Sequence, residues 1–560
     1  MDRQAAIEEM TGEGQPYELT LVDLYGRSCR AFKNAPSSLR ELFSENRSDL
    51  PFLIYENERL TFDQVWELSS RMARILVEEY GITKGDRVAI SMRNYPEWIL
   101  AFEAITSIGA IAVAMNSLWK PDEMAYGLQD SGARVLFADE ERLERLSHCA
   151  SLPESLVGVL GVRTDHLHGL GKARKLSDLL EAYPDGAMPA AEIDPHDDAT
   201  IFYTSGSTGH PKGVVACHRN IISALLSWEL DMLSDLHVKG IQPSESSSQA
   251  AILLGVPLFH VTGSHAVFLL SYRAQRRVVS MYKWDVAKAA ELIEREQINA
   301  VIAPAAMTGD LVEYARGSDR DLSSLALVGG GGAPRAPSQV KGIDTAFERA
   351  APNTGWGMTE TNAIGTGISG PDYLARPESS GRASAVLDLK IVNEEGESLP
   401  PFERGELRVR GTSVVRGYWN RPDANAETFS DGWLCTGDVA YLDDEGFLFI
   451  VDRIKDLVIR GGENIGCGSV EAALLEHPAV LEASVYGVPD ERLGEEVGAT
   501  VYTGQNLTQE DLEAFLEPRL ARFEIPRFMR FSSEPLPRIA SGKILKRQLR
   551  EEALEEMGLS

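Results

Sequence analysis

Thr61-Phe-Asp-Gln-Val-Trp-Glu-Leu-Ser-Ser-Arg-Met-Ala-Arg-Ile-Leu-Val-Glu-Glu-Tyr-Gly81 is followed, four residues on, by Asp86-Arg-Val-Ala-Ile-Ser-Met92. This pair of segments decides the fold class. Thr61 with Gln64 three residues later is a capping-box pattern that opens a helix. Val65, Leu68, Met72, Ile75 and Leu76 then recur on one face, and Gly81 supplies the stop. The short apolar run after it reads as a strand. The same order returns at 98–115, and at 285–305, where VAKAAELIEREQ precedes INAVIAP. Helices alternating with short apolar strands predict α/β layers with largely parallel sheets. No repeat of fixed period is present.

Downstream the texture changes. From about residue 380, GELRVRG, the hairpin YLDDEGFLFIVD around Asp444-Glu445-Gly446 and short Gly/Pro-bounded runs predict a β-rich subdomain. Pro243 to Ser248 is a polar patch that reads as an exposed loop. A further unit begins near Arg453. It has a helix around 468–476, the strand LEASVYGV, a helix started by Thr508 and running to about Leu520, and a strand near Phe528–Phe531. About a hundred residues suit a small second domain. The expected architecture is therefore a large N-terminal domain of layered α/β subdomains plus a β-rich subdomain, with a small α+β C-terminal domain. The boundaries are set at 1–452, a junction at 453–456, and 457–560.

Composition narrows the partners. The 560 residues are 43% apolar and 25% charged, a globular balance that excludes a mainly disordered chain. The formal net charge of −29 disfavours nucleic acid and anionic membrane as partners. Against it, nine basic residues between Arg519 and Arg550 face two acids, Glu524 and Glu534, which points to a local polyanion site. Five scattered cysteines, without a CxxC pair or zinc spacing, suit a reducing compartment. MDRQAAIEEMTGEGQ lacks an apolar signal-peptide core. The most membrane-like stretch, Trp98 to Met115, is broken by Glu103 and Gly109 and reads as a helix and a buried strand. A cytoplasmic protein without stable membrane insertion is expected.

After the apolar strand DATIFY comes Tyr203-Thr-Ser-Gly-Ser-Thr-Gly-His-Pro-Lys-Gly213. Three glycines and the hydroxyls of Thr204, Ser205, Ser207 and Thr208 can wrap a phosphate, with Lys212 adding charge. The run departs from G-x-x-x-x-G-K-[ST], so it is not a Walker loop.

This run resembles the phosphate loop of the adenylate-forming superfamily, which includes acyl- and aryl-CoA synthetases. Further matches follow in order: Gly331-Gly-Ala-Pro334, Gly355-Trp-Gly-Met-Thr-Glu-Thr361, Cys435-Thr-Gly-Asp438, Val451-Asp-Arg-Ile-Lys-Asp456, Gly461-Gly-Glu-Asn-Ile465 and Ser541-Gly-Lys-Ile-Leu-Lys546. They run from about residue 50 to the C-terminus. The resemblance implies that ATP is bound by Thr204, Ser205, Gly206, Ser207, Thr208, Gly209 and Lys212, by Gly331, Gly332 and Ala333, and by Gly357, Met358 and Thr359. It sets the flat face of Trp356 against adenine. Asp438 would accept from the ribose hydroxyls, and Arg453 would contact ribose or phosphate. Glu360 and Thr204 would hold Mg²⁺, a hard cation suited to oxygen.

Lys543 resembles the lysine that bridges the acid's carboxylate and the α-phosphate. Pro257-Leu-Phe-His-Val-Thr-Gly263 resembles the acyl-tunnel segment, implying that His260, Val261 and Gly263 line it together with Gly330 and Gly355. Lys455 would be the hinge of a mobile C-terminal domain, with Gly461, Gly462 and Glu463 on the CoA side. Two departures stand out. Gly466-Cys467-Gly468 replaces an aromatic–Pro pair, and Glu524 stands where many relatives have Lys.

The implied reaction is ATP-dependent activation of a carboxylic acid to an acyl-adenylate, then thioester formation with CoA. Glycines around the tunnel favour a medium- or long-chain fatty acid. An aryl or other acid, or a separate carrier protein as acceptor, is the alternative, and a homodimer is left open. Because the sequence ends at Ser560 soon after SGKILK, a diffusible acceptor is the expectation.

Overall fold

The structure, a computed structural model, describes residues 3–204, 211–241, 248–332, 335–454, 456–461, 463–538 and 543–559. Thr61 caps the helix Phe62–Tyr80 as its spacing predicts. Its hydroxyl accepts from Gln64 N, Gln64 returns a bond to Thr61 N, and Gly81 closes the helix at φ +59. The predicted face is buried, with Leu68 packed against the core at its edge. The next run forms strand Arg87–Ser91. The stretch 98–115 divides as expected into helix Pro96–Ser107 and strand Ile111–Ala114. Among the described residues no helix is long and apolar enough to cross a membrane.

Two large sheets form the N-terminal body. In the first, strands Asp198–Thr204, Ile111–Ala114, Arg87–Ser91, Val135–Asp139, Gly158–Val162 and Ala173–Lys175 run parallel in that spatial order, and Lys212–Cys217 adds antiparallel to Asp198–Thr204. In the second, Ala351–Thr354, Leu327–Gly329, Ala300–Ile302, Ala251–Leu254, Arg277–Ser280 and Pro51–Tyr55 are parallel. Antiparallel strands border it at both edges. Helices cover both sheets, which is why the central strands are buried without polar alternation.

The β-rich part predicted after residue 380 is an antiparallel sheet of Leu387–Val392, Gly405–Gly411, Trp433–Leu442 and Leu448–Arg453, with Phe429–Ser430 at its edge. Its hairpin turns at Gly446, φ +78. The small C-terminal unit has its own core, built from Val458, Val470, Val485, Val497, Leu512 and neighbours. Strand Val480–Asp490 is longer than its sequence suggests. The helix expected to reach Leu520 covers Gln509–Leu516. Pro518 cannot donate the next helical hydrogen bond, which stops the helix early.

Candidate active site

Strand Ala251–Leu254 has Arg277–Ser280 on one side and Ala300–Ile302 on the other. Strand order reverses there, so a crevice opens beyond the carboxyl ends. A cavity of about 1210 Å³ fills it. Thr204 and Lys212 reach it from the first sheet, Gly330–Gly332 and Gly357–Glu360 from the second, Arg453 from the third, and Lys543 from the C-terminal unit. Thus residues from four parts of the chain, named separately from the sequence, meet on one wall. Ser205, Gly206, Ser207, Thr208, Gly209, Ala333, Lys455 and Gly462 lie outside the described residues, as do Pro243 to Ser247 of the polar patch.

Thr204 ends its strand and pairs with Lys212, whose carbonyl accepts from the Thr204 hydroxyl at 3.4 Å. The two residues therefore pin both ends of the glycine-rich return. Glu360 sits in the short 3₁₀ turn Thr359–Thr361 and is 6% exposed. Behind it Asn362 and Ala363 adopt φ +57 and +65, two successive non-glycine residues in the left-handed region. That strained reversal is held by the Asn362 side-chain amide donating to Ser413 O at 2.8 Å. Tyr418 donates its hydroxyl to Glu360 Oε1 at 2.7 Å, and Lys212 Nζ lies 5.0 Å from the Tyr418 ring centroid. Burial, with the Glu360 charge adding to it, pushes the Tyr418 phenol far up, so it remains a donor.

Asp438 is nearly buried and already has two donors. Trp356 Nε1 donates to Oδ2 at 2.8 Å, and Arg453 Nε pairs with Oδ1 at 2.9 Å. Burial raises its carboxyl above the ordinary range, while Arg453 and the Trp356 bond oppose the rise. Lys543 is near enough to feel this pair. Burial pushes its ammonium below the usual lysine range, Arg453 adds to the shift, and Asp438 opposes it. His260 also lines the cavity, and burial together with the Lys543 charge pushes it down to about 4. At neutral pH it is an uncharged imidazole.

Two of the named residues also hold the protein together. Trp356 donates its indole N–H to Asp438, and its ring packs where Gly365 leaves room for it. The indole is bulky and carries a buried donor, which the acidic residue below it satisfies. At Gly263 two stretches of backbone pack closely. A Cβ there would stand 2.4 Å from Pro257 O, so the glycine serves close backbone packing within the π-helical segment Thr262–Leu269. Gly330 and Gly355 do line the cavity with His260 and Val261. They too are required by backbone approach, with a Cβ meeting Ala303 N at 2.7 Å and Thr366 O at 2.3 Å respectively.

Gly461 and Glu463 stand away from the cavity on the hairpin Val458–Arg460/Glu463–Ile465. The Gly466-Cys467-Gly468 departure opens helix Cys467–Leu474, where Cys467 is buried and its thiol donates to Asp456 O at 3.0 Å. Burial raises this thiol far above the usual range, which makes it structural. Glu524 accepts from Ala521 N at 2.9 Å in a local turn. Tyr418 was not found from sequence. Its signal is the dipeptide Gly417-Tyr418, a two-residue edge strand with Gly417 at φ +147, too short for any periodicity to mark.

No cluster of three metal-ligating side chains occurs among the described residues. Glu360 and Thr204 nevertheless fit magnesium bound with nucleotide. That cation takes one or two protein oxygens and completes its shell with phosphate and water. The Tyr418 donor covers only one of the two Glu360 oxygens, leaving the other for the cavity.

A family model described as AMP-binding enzyme matches residues 41–419, and one described as AMP-binding enzyme C-terminal domain matches 469–543. The chain is 34% identical over 501 residues to the 2-succinylbenzoate–CoA ligase of Bacillus velezensis, covering 89% of this chain and 94% of that one. It is 32% identical over 498 residues to a long-chain-fatty-acid–CoA ligase of Mycobacterium tuberculosis, covering 88% and 93%. Among solved structures, the o-succinylbenzoate CoA synthetase of Bacillus subtilis with its acyl-adenylate superposes with a TM-score of 0.77 at 29% identity, covering 92% and 98% of the two chains. Its complex with ATP and magnesium ion gives 0.76, at 29% identity and covering 92% and 99%.

Proposed function

Because the chain belongs to the AMP-binding enzyme family of adenylate-forming acyl-CoA synthetases, we propose a division of labour among its residues. The enzyme is an AMP-forming acid–thiol ligase that uses ATP, magnesium and CoA and passes through an acyl-adenylate. In the first half-reaction the acid's carboxylate attacks the α-phosphorus of ATP and pyrophosphate leaves. Thr204 and Lys212 hold phosphate oxygens, and Lys543 neutralises charge shared between carboxylate and α-phosphate. Neutral His260 borders the reacting carboxylate without competing as a cation. Glu360 and Thr204 would hold magnesium, which would supply positive charge on the phosphates. Catalysis is thus positioning and electrostatics more than covalent chemistry.

The second half-reaction needs CoA's thiol to reach the adenylate while Lys543 withdraws. We place the hinge at Lys455. Its flanks support this reading: Ile454 N is tied to Gly437 O of the β-rich sheet at 2.9 Å, whereas Asp456 O is held by Cys467 of the small unit. A rotation between those anchors would carry Gly461–Glu463 inward.

The acid is proposed to be an elongated aliphatic one, of medium or long chain. Support comes from the apolar residues Ile252, Val256, Val261 and Leu270, which line the cavity together with His260. An aryl acid is the second reading, favoured by the 34% identity to a 2-succinylbenzoate ligase. The observation that carries the whole proposal is that Lys543 shares one cavity with Thr204, Glu360 and Arg453. The test is ATP- and CoA-dependent turnover over fatty, dicarboxylic and aromatic acids, with products weighed by mass spectrometry beside Lys543→Ala. A thioester lost in the variant supports the reading. Acyl-adenylate without thioester would refute CoA as acceptor.

A further inference from the structure

The cavity that takes the acid is not lined by hydrocarbon alone. Nucleotide-facing residues sit at the carboxyl ends of the second sheet, but the same cavity reaches Arg276, which precedes strand Arg277–Ser280 at the opposite edge. Strand register gives the span. Arg277 pairs with Ala251, and Leu254 is level with Ile302 and Gly329. Arg276 and Gly331 are therefore about six residues apart along the strand direction, or roughly 20 Å at 3.3 Å per residue, less the reach of the arginine side chain. Ile252, Ala300, Ile302 and Leu327 line the sheet side of this stretch, while Glu229, Asp231 and Asp235 of helix His218–Val238 also line the cavity.

Three arginines stand in Arg273-Ala-Gln-Arg276-Arg277. Two are spent on carboxylates: Arg273 on Glu229 at 2.5 Å, and Arg277 on Glu296 at 3.8 Å with a further bond to its carbonyl at 3.0 Å. Arg276, between them, has no carboxylate within ion-pair distance among the described residues. The one hydrogen-bond contact of its side chain there is with Met232 Sδ at 3.5 Å, a poor acceptor. Burial lowers its pKa and Glu229 opposes the shift, so that carboxylate eases part of the cost without forming an ion pair. A partly buried guanidinium that lines the cavity without an ion-pair partner is matched by a carboxylate, which it can take bidentately.

Resting on the ligase reading above, we propose that the acid carries a second carboxylate at its far end, and that Arg276 holds it. The substrate would be a long dicarboxylic acid whose one carboxyl is adenylated beside Lys543 while the other docks on Arg276. A simple fatty acid of equal length leaves Arg276 unpaired and forfeits that interaction.

The experiment compares kcat/KM in ATP–pyrophosphate exchange for pairs of monocarboxylic and α,ω-dicarboxylic acids across chain lengths. The wild type, Arg276→Met and Arg276→Lys are assayed together, with melting temperature as the check on folding. The proposal expects the wild type to prefer the dicarboxylate at one chain length. The preference ratio should fall by about 30-fold in Arg276→Met, the equivalent of about 2 kcal/mol for removing one partner of a buried charge pair. It should be partly restored in Arg276→Lys, which a purely structural role would not produce. A wild type that favours the monocarboxylate at every length, or a ratio equal in wild type and Arg276→Met, overturns the inference while leaving the ligase intact. Exchange with no acid of either kind would instead strike the ligase reading itself.

Discussion

Removing one oxygen atom, in Tyr418→Phe, tests whether Glu360 works as a magnesium ligand positioned from behind. The hydroxyl donates to Glu360 Oε1 at 2.7 Å, and both residues are nearly buried, at 7% and 6% exposure. The phenyl ring would remain, and with it the surface 5.0 Å from Lys212 Nζ, so the change is confined to the bond. A hydrogen bond to a buried carboxylate is worth about 1.5–3 kcal/mol, or roughly 10- to 150-fold in an equilibrium. Residues that orient a metal's carboxylate ligand cost about 10- to 100-fold in affinity or activity when removed. The two estimates overlap. The expected result is therefore a rise of about 10- to 100-fold in the magnesium concentration that half-saturates ATP–pyrophosphate exchange, with the KM for the acid little changed. Titrating MgCl₂ at fixed total ATP reads this directly, with Glu360→Gln as the variant that has lost the ligand. If exchange fell by one factor at every magnesium concentration, Tyr418 would be acting elsewhere and the assignment of Glu360 would be refuted.

Other outcomes follow from the same geometry. Lys543→Ala should lower adenylate formation by about 100- to 1000-fold, the usual cost of one donor to developing charge, while thioester formation from supplied acyl-adenylate survives. Since burial and Arg453 lower the Lys543 pKa, wild-type exchange should decline as pH rises through a value below the ordinary lysine range, and Lys543→Arg should move that decline upward. His218, His260 and His265 are held neutral at about 4, about 4 and about 3. Their contribution to stability is complete above the unfolded value of about 6.5 and is lost as pH falls through about 4, or about 3 for His265, by at most roughly 3–5 kcal/mol for each fully buried one. Melting temperatures between pH 7.5 and 5 read this slope, and His218→Gln should flatten it. Gly263→Ala would drive a methyl to 2.4 Å from Pro257 O, and thermal melts should show a loss of about 1–3 kcal/mol.

The parts legible in the sequence are those written in contiguous residues. The capping box at Thr61 and the five-residue apolar face after it gave a helix that the structure reproduces to its glycine stop. The nucleotide wall was legible because its residues come in short motifs whose order along the chain matches a known family. Their convergence on one cavity is then a matter of strand ends meeting. Motif reading does not reach what a residue's neighbour in space supplies. The ring face of Trp356 was assigned to adenine, and a carboxylate 82 residues away takes its indole N–H. Gly263 was placed in the tunnel segment, and the Pro257 carbonyl stands beside where its Cβ would be.

Tyr418 and Arg276 show the same limit from the other side. Neither lies in a periodic element or a motif identified by sequence, and each matters through what it faces. Tyr418 faces an acid on a strained turn, and Arg276 faces a channel after its two neighbouring arginines have found partners. A sequence containing Arg-Ala-Gln-Arg-Arg reports three positive charges and says nothing of which are neutralised. Only pairing in space singles out the middle one, and that pairing is set by Glu229 and Glu296, which lie on two separate helices. Reaction chemistry is therefore read early from contiguous motifs, whereas the proposed choice of acid rests on a charge left over after packing. Within one family of ligases, substrate preference can then differ through such leftover charges while every motif stays in place.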